Sequence, residues 1–355
     1  MQFEMYLNMK KLYFTVLVLT VFVLFSCKNK VNLYTDEGEH TVVYAMLDSN
    51  ADTNYFKITK SFVGNVNQYG HDYDANNYNY KDLEVRFSGV FDDDTQVQTV
   101  LLDTISIFVP YDENSTFYSG CYQTYYYTTK KLKEGKEYTL NIFRKTDSVN
   151  ISAKAKTINS FAFKNPLETM GDITFTEMTT STSTVEWKVR EKPYTSTASY
   201  FEVVGYFNYK EQMPGASEIV HHSIKWSLGS GKAEDLINTS TNIPYYLVTY
   251  TPSSLFTILA NDKHLVEDSP IGVQRWFEKF EFKVSAIGED LYNYYLATNS
   301  TSAIQDVPNY TNIENGMGIM SARNTKTLSL DISEKTRVDI DNRFKQYGFS
   351  GDIHR

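Results

Sequence analysis

The chain has 355 residues, with 34 lysines and arginines against 43 aspartates and glutamates, a formal charge of −9, and 28 tyrosines. No basic block is long enough to track a phosphate backbone, so nucleic acid is not an expected partner. With two cysteines, Cys27 and Cys121, a disulfide-stapled scaffold is excluded, and the length suffices to bury sizeable apolar cores without one.

Lys10 and Lys11 precede an apolar run, Leu12 to Phe25, of about 14 residues, which is the layout of an export signal. Leu24-Phe25-Ser26-Cys27 has the small-residue-then-cysteine form of a bacterial lipoprotein cleavage box. The run falls short of the roughly 20 apolar residues that span a bilayer, which disfavours a transmembrane anchor. Residues 1–26 are therefore expected to be a signal peptide, Cys27 the lipidated first residue of the mature chain, and residues 27–39 a tether. Glu4 and Tyr6 precede the basic pair, where an export signal does not need them, so Met9 is an alternative start. Use of Cys27 for lipid leaves Cys121 without an intramolecular disulfide partner, as a small buried hydrophobe.

Beyond the tether, period-2 alternation dominates. His40 to Leu47, Tyr55 to Val63, Leu83 to Phe91 and Thr104 to Val109 read as strands separated by Asn, Asp and Gly clusters. Leu132-Lys-Glu-Gly135-Lys-Glu-Tyr138 has the spacing of a tyrosine corner, in which the phenol hydroxyl bonds back to backbone at a sandwich edge. Alternating strands follow at Thr139 to Phe143 and Val149 to Thr157, giving an immunoglobulin-like sandwich over 40–158. Tyr73, Tyr78, Tyr80 and Tyr125 to Tyr127 suit either a stacking surface for sugars or peptides or ordinary strand composition.

A second β-rich domain is expected over 159–355. Trp187 on a strand, the Tyr200 to Tyr209 segment and Phe280-Glu-Phe282-Lys-Val284-Ser-Ala286 look similar to the strand signatures of fibronectin type III modules. Their separation is too long for one plain module, which implies an insertion. Thr251-Pro252 fits an N-cap with proline at the first helical position, leading into a helix over Ser253 to Ala260. Leu291, Tyr294 and Tyr295 predict another helix over Glu289 to Thr298, and Ser333 to Tyr347 a third. The fold class is thus mainly β: two β-sandwich domains, the second with an insertion and a few short helices.

Near the C-terminus stands Asn312-Ile313-Glu-Asn315-Gly316-Met-Gly318-Ile319-Met320. Asn315-Gly316 is a turn former, and the two glycines allow positive φ or close backbone approach, so a structural turn is favoured over an anion cradle. This N-I-x-N-G-x-G run, with the Tyr-rich segment Leu291 to Leu296, resembles the end of a family of Bacteroidota envelope lipoproteins known only as a domain of unknown function. The segments Thr41 to Asp48, Ile58 to Gly64 and Leu132 to Leu140 are similar too, so the resemblance covers most of 40–325; Met320 departs from the family's aromatic. The resemblance implies a lipid-anchored, β-rich protein accompanying TonB-dependent outer-membrane receptors, and no reaction.

Catalytic and metal-binding constellations are poor. Asp72-x-Asp74-x-Asn76 opens like a calcium loop, but Asn77 and Leu83 occupy the glycine and glutamate positions. Asp92-Asp93-Asp94 reads as a charged loop or a hard-cation site. Adjacent His221 and His222 would point to opposite faces of a strand and could not share a metal. Arg323 reads as a carboxylate binder or a solvated arginine. No catalytic residue, cofactor or metal is expected. The expected role is a binding or accessory lipoprotein of the outer membrane, because Lys28 supplies no acidic retention signal; which side it faces stays open. The alternatives are an envelope glycan- or peptide-processing enzyme, whose carboxylate pair leaves no local spacing, and an adhesive or structural subunit.

Overall fold

Alternation in the first half of the chain becomes two facing sheets. The computed structural model describes residues 40–61, 79–92, 94–109, 121–178, 181–299 and 310–349. Strands β1 (Thr41–Leu47), β2 (Asn54–Lys60), β3 (Leu83–Gly89), β4 (Gln98–Leu101), β5 (Asp103–Val109), β6 (Cys121–Thr128), β7 (Glu137–Arg144) and β8 (Val149–Lys156) come in chain order. They sort into one sheet running β1-β2-β6-β5 and another running β8-β7-β3-β4. Every second residue turns inward: Val43, Ala45 and Leu47 from one sheet, Val85, Phe87, Leu140 and Ile142 from the other, all essentially inaccessible to solvent. The Phe56 and Phe87 rings meet across the interface at 4.9 Å between centroids.

The second half repeats the plan. Its strands are β9 (Phe161–Asn165), β10 (Asp172–Ile173), β11 (Ser183–Val189), β12 (Tyr200–Gln212), β13 (Val220–Lys232), β14 (Ile237–Asn238), β15 (Tyr245–Tyr250), β16 (Gln274–Ile287), β17 (Ile313–Glu314) and β18 (Met317–Ile332). One sheet runs β14-β15-β11-β9, the other β13-β12-β16-β18. Trp187, fully buried, packs between them against Phe201 at 5.1 Å and Tyr246 at 6.0 Å. Phe280, Phe282, Val284 and Ala286 show no exposure at all, as their alternation requires. The protein is mainly β, built of several largely antiparallel sheets with few helices.

One strand belongs to both halves. Met317 to Ala322 of β18 pairs in parallel with β1, and Arg323 to Leu330 then pairs antiparallel with β16. Although the chain passes residue 158 between β8 and β9, it therefore returns through β17 and β18 to complete the first half. The segment from Glu39 onward forms one compact unit.

The helices are α1 (Ala233–Leu236), α2 (Ser254–Asn261), α3 (Lys263–Glu267), α4 (Glu289–Asn299) and α5 (Glu334–Arg343), followed by a 3-10 turn at Lys345–Tyr347. Helices α2 and α3 stand between β15 and β16, within the stretch where the spacing implied an insertion. Helix α2 starts later than the Thr251-Pro252 signal suggests. Those two residues accept i+3 bonds from Ser254 and Leu255, so they form a lead-in turn instead of the cap. Helix α4 matches its expected span, but its Tyr295 and Leu296 sides stay about half exposed. The third expected helix divides, with Ser333 Oγ capping α5 by accepting from Thr336 N–H. Among the described residues, no helix is long and apolar enough to cross a membrane.

Candidate functional site

The Asn312–Gly318 motif lies where the chain changes sheets. Ile313 on β17 pairs with Ala153 of β8, and four residues later, at Met317, β18 has moved across to β1. Asn315 takes φ 57° at the corner, and its Nδ2 donates to the Asn150 carbonyl at 2.9 Å. A Cβ on Gly316 would lie 2.8 Å from the Thr41 carbonyl oxygen. One on Gly318, at φ 100°, would lie 2.1 Å from that of Val43. Asn312 imitates a strand partner, its Oδ1 accepting from Met320 N–H at 2.9 Å and its Nδ2 donating to Met320 O at 2.7 Å. The motif is thus a clasp between two sheets. The chain after Gly318 continues as strand, without the helix N-terminus that an anion cradle needs.

At the other signature, Leu132 and Tyr138 are buried, and Gly135 adopts φ 64°. The Tyr138 hydroxyl accepts from Lys133 N–H at 2.6 Å and donates to the Val90 carbonyl. Its ring stacks on Phe87 at 5.2 Å. Burial pushes the phenol up to about 12.

The outward side of the β1-β2-β6-β5 sheet is aromatic. Tyr44 and Tyr55 are each 44% exposed, and Tyr55 meets Tyr125 at 6.5 Å and Tyr127 at 6.2 Å. Among the described residues β5 ends its sheet. Six of its seven residues are exposed, including Ile105, Ile107 and Phe108. Phe108 packs on Tyr122 at 5.3 Å while both remain more than half exposed. This gives a strand edge with apolar side chains on both faces, the arrangement that strand addition uses.

Between the loops 131–136 and 190–197 lies a polar cleft of about 980 Å³. Its lining carries Lys131, Lys133, Lys136, Lys156, Arg190 and Lys192 against Asp92, Glu134 and Glu191, an excess of basic side chains in an acidic chain.

A polar cluster is buried beneath the insertion. Arg275 on β16 is wholly inaccessible; its Nε and Nη2 donate to Glu211 Oε2 on β12 at 2.7 and 2.5 Å. Its Nη1 donates to Ser269 Oγ at 2.8 Å and to the Tyr347 carbonyl. His264, from α3, places Nε2 3.0 Å from Glu211 and Nδ1 3.3 Å from Asp268. His222, from β13, brings Nε2 to 3.3 Å from Glu211 Oε1 without the alignment of a hydrogen bond. The rings form a stack, Tyr209 on His222 at 5.1 Å and His222 on His264 at 4.4 Å. Burial pushes His222 down from the ordinary histidine range.

His221 and His222 do part company. His221 Nδ1 sits 3.0 Å from Glu278 on the exposed side, while His222 turns inward. What sequence reasoning missed is that His222 meets Glu211 and His264, residues from three separate elements that leave no spacing signal. Arg323 Nε lies 3.7 Å from Asp48 at the surface. Cys27, Asp72 to Asn76, Tyr73, Tyr78, Asp93 and the Cys121 side chain lie outside the described residues. No family model matches the chain, and no curated protein matches it.

Proposed function

We propose that the protein is a lipid-anchored lipoprotein of the outer membrane, held by acylated Cys27, that acts as a binding or accessory component of an envelope complex. A TonB-dependent receptor is the partner class. The exposed edge of β5, flanked by the aromatic face of its sheet, carries this reading: apolar side chains and a backbone edge that no strand among the described residues covers together suit a protein partner. The frame is read as two sandwiches, the first immunoglobulin-like and the second fibronectin type III-like. In support, the chain crosses repeatedly between facing sheets, at β2 to β3, β4 to β5 and β6 to β7 in the first half and at β11 to β12, β13 to β14 and β15 to β16 in the second, as such sandwiches do.

The same edge also suits addition of a strand from a second copy, which is the adhesive reading. Crosslinking in intact cells followed by purification of the tagged protein separates the two. A heterologous envelope protein is the expected adduct, whereas adducts with itself alone would overturn the accessory role. Mass spectrometry of residue 27 tests the anchor independently, with a fatty-acylated cysteine expected and a free thiol contradicting it.

A further inference from the structure

We propose that Glu211, His222 and His264 form a binding site for one divalent cation of the late first transition row, with zinc as the reference ion. The site goes beyond the anchoring and docking role above and does not depend on it. One carboxylate oxygen and one ring nitrogen from each histidine all lie within 4.8 Å of one another. Two imidazoles and a carboxylate are the donor set of zinc and its neighbours, whereas calcium and magnesium take oxygen alone.

The hydrogen bonding around the cluster gives each ligand one free lone pair. Arg275 donates twice to Glu211 Oε2, while Oε1, with no bond to Arg275, faces both imidazoles; His264 Nε2 lies 3.0 Å from both oxygens. Asp268 Oδ2 faces His264 Nδ1 at 3.3 Å, where an outer carboxylate favours the tautomer with its proton on Nδ1 and Nε2 free to ligate. In that tautomer Nε2 of His264 presents its lone pair 3.0 Å from both carboxylate oxygens, whereas in the other it donates to them. The buried Nε2 of His222 faces Oε1 at 3.3 Å with no hydrogen-bond partner. Acceptors set against an acceptor repel unless something positive lies among them. A proton on His264 relieves one of these contacts, and a cation bonded to all three relieves both.

The surroundings fit as well. Glu211 and Asp268 outweigh Arg275 in charge, so with neutral imidazoles the cluster is net negative. Tyr209 and the stacked rings restrict where each nitrogen can point. Bonds of about 2 Å in a tetrahedron set ligand atoms roughly 3.3 Å apart; the Glu211 contacts to His264 and His222, at 3.0 and 3.3 Å, already have that spacing, and the two imidazole nitrogens lie within 4.8 Å of each other. His222 and His264 keep 26% and 31% of their side-chain surface accessible, which leaves the outward position for water or a partner's donor atom. Three protein ligands with one open position is a reactive or bridging geometry, unlike a closed structural site.

The test uses the purified full chain, stripped with chelator and titrated at pH 7.5 with zinc by calorimetry and with cobalt(II) by absorption. One ion per chain is expected, with visible cobalt bands that zinc displaces. Asp268→Asn should weaken binding by about tenfold or more. His264→Gln should abolish the cobalt bands while its metal-free melting curve matches that of the parent. A parent chain that takes up no stoichiometric zinc and shows no cobalt bands overturns the site without recourse to a variant. Undiminished binding by the His222→Gln, His264→Gln double variant overturns it as well.

Discussion

The two halves share a strand plan but differ in what is placed on it. The first half is filled by an apolar ring cluster, Phe56, Phe87, Phe91 and Tyr138, and presents Tyr44, Tyr55, Tyr125 and Tyr127 outward from the opposite face of one sheet. The second half accepts two helices between β15 and β16 and packs a salt bridge, Arg275 with Glu211, beneath them. Alternation alone builds both frames. Chemistry collects where the chain adds to the frame, at an overhanging edge in one half and under an insertion in the other.

Several substitutions would break or sharpen this contrast. Phe87→Ala in the first half should cost about 3–5 kcal/mol by emptying the ring cluster. Arg275→Met in the second should cost a similar amount for another reason, because it leaves Glu211 charged and buried without its partner. Urea unfolding of both would compare an apolar core with an ionic one, and a loss below about 1 kcal/mol in either would refute its assigned role. Gly318→Val should cost about 3 kcal/mol, since its φ and the Val43 carbonyl leave no room for a side chain. Because β18 joins the halves, that change should also split the unfolding curve, with the first half melting earlier.

Tyr138→Phe should cost less, about 1–3 kcal/mol, for the buried partners it leaves unsatisfied. The phenol has a pH signature too. Its folded value, about 12, exceeds the unfolded value near 10, so the native state holds the proton longer. Stability should therefore fall as pH rises through that interval, and Tyr138→Phe should flatten the fall. An unchanged alkaline slope in the variant would remove Tyr138 as a contributor.

Much of the frame was legible in the sequence because most of the strands bury one face. Phe280 to Ala286 alternates in letters as it does in burial. The helix at Glu289 was equally plain, whereas α2 began late because Thr251 and Pro252 were spent on a turn. The parallel pairing of Met317 to Ala322 with β1 could not be read, since nothing local in either segment names a partner so distant in the chain. The clasp motif showed its glycines but not what they approach. The Glu211 cluster was invisible for a related reason: its members sit on β12, β13 and α3, and only the fold brings them together.

The docking reading rests on β5. A photo-crosslinking residue at Ile107 or Tyr122, exposed positions where substitution should shift stability by no more than about 0.5 kcal/mol, would probe it in living cells. The account predicts a discrete adduct with another envelope protein from these positions and none from Lys188, an exposed position on a strand of the second half. Self-adducts alone, or equal capture from Lys188, would contradict it.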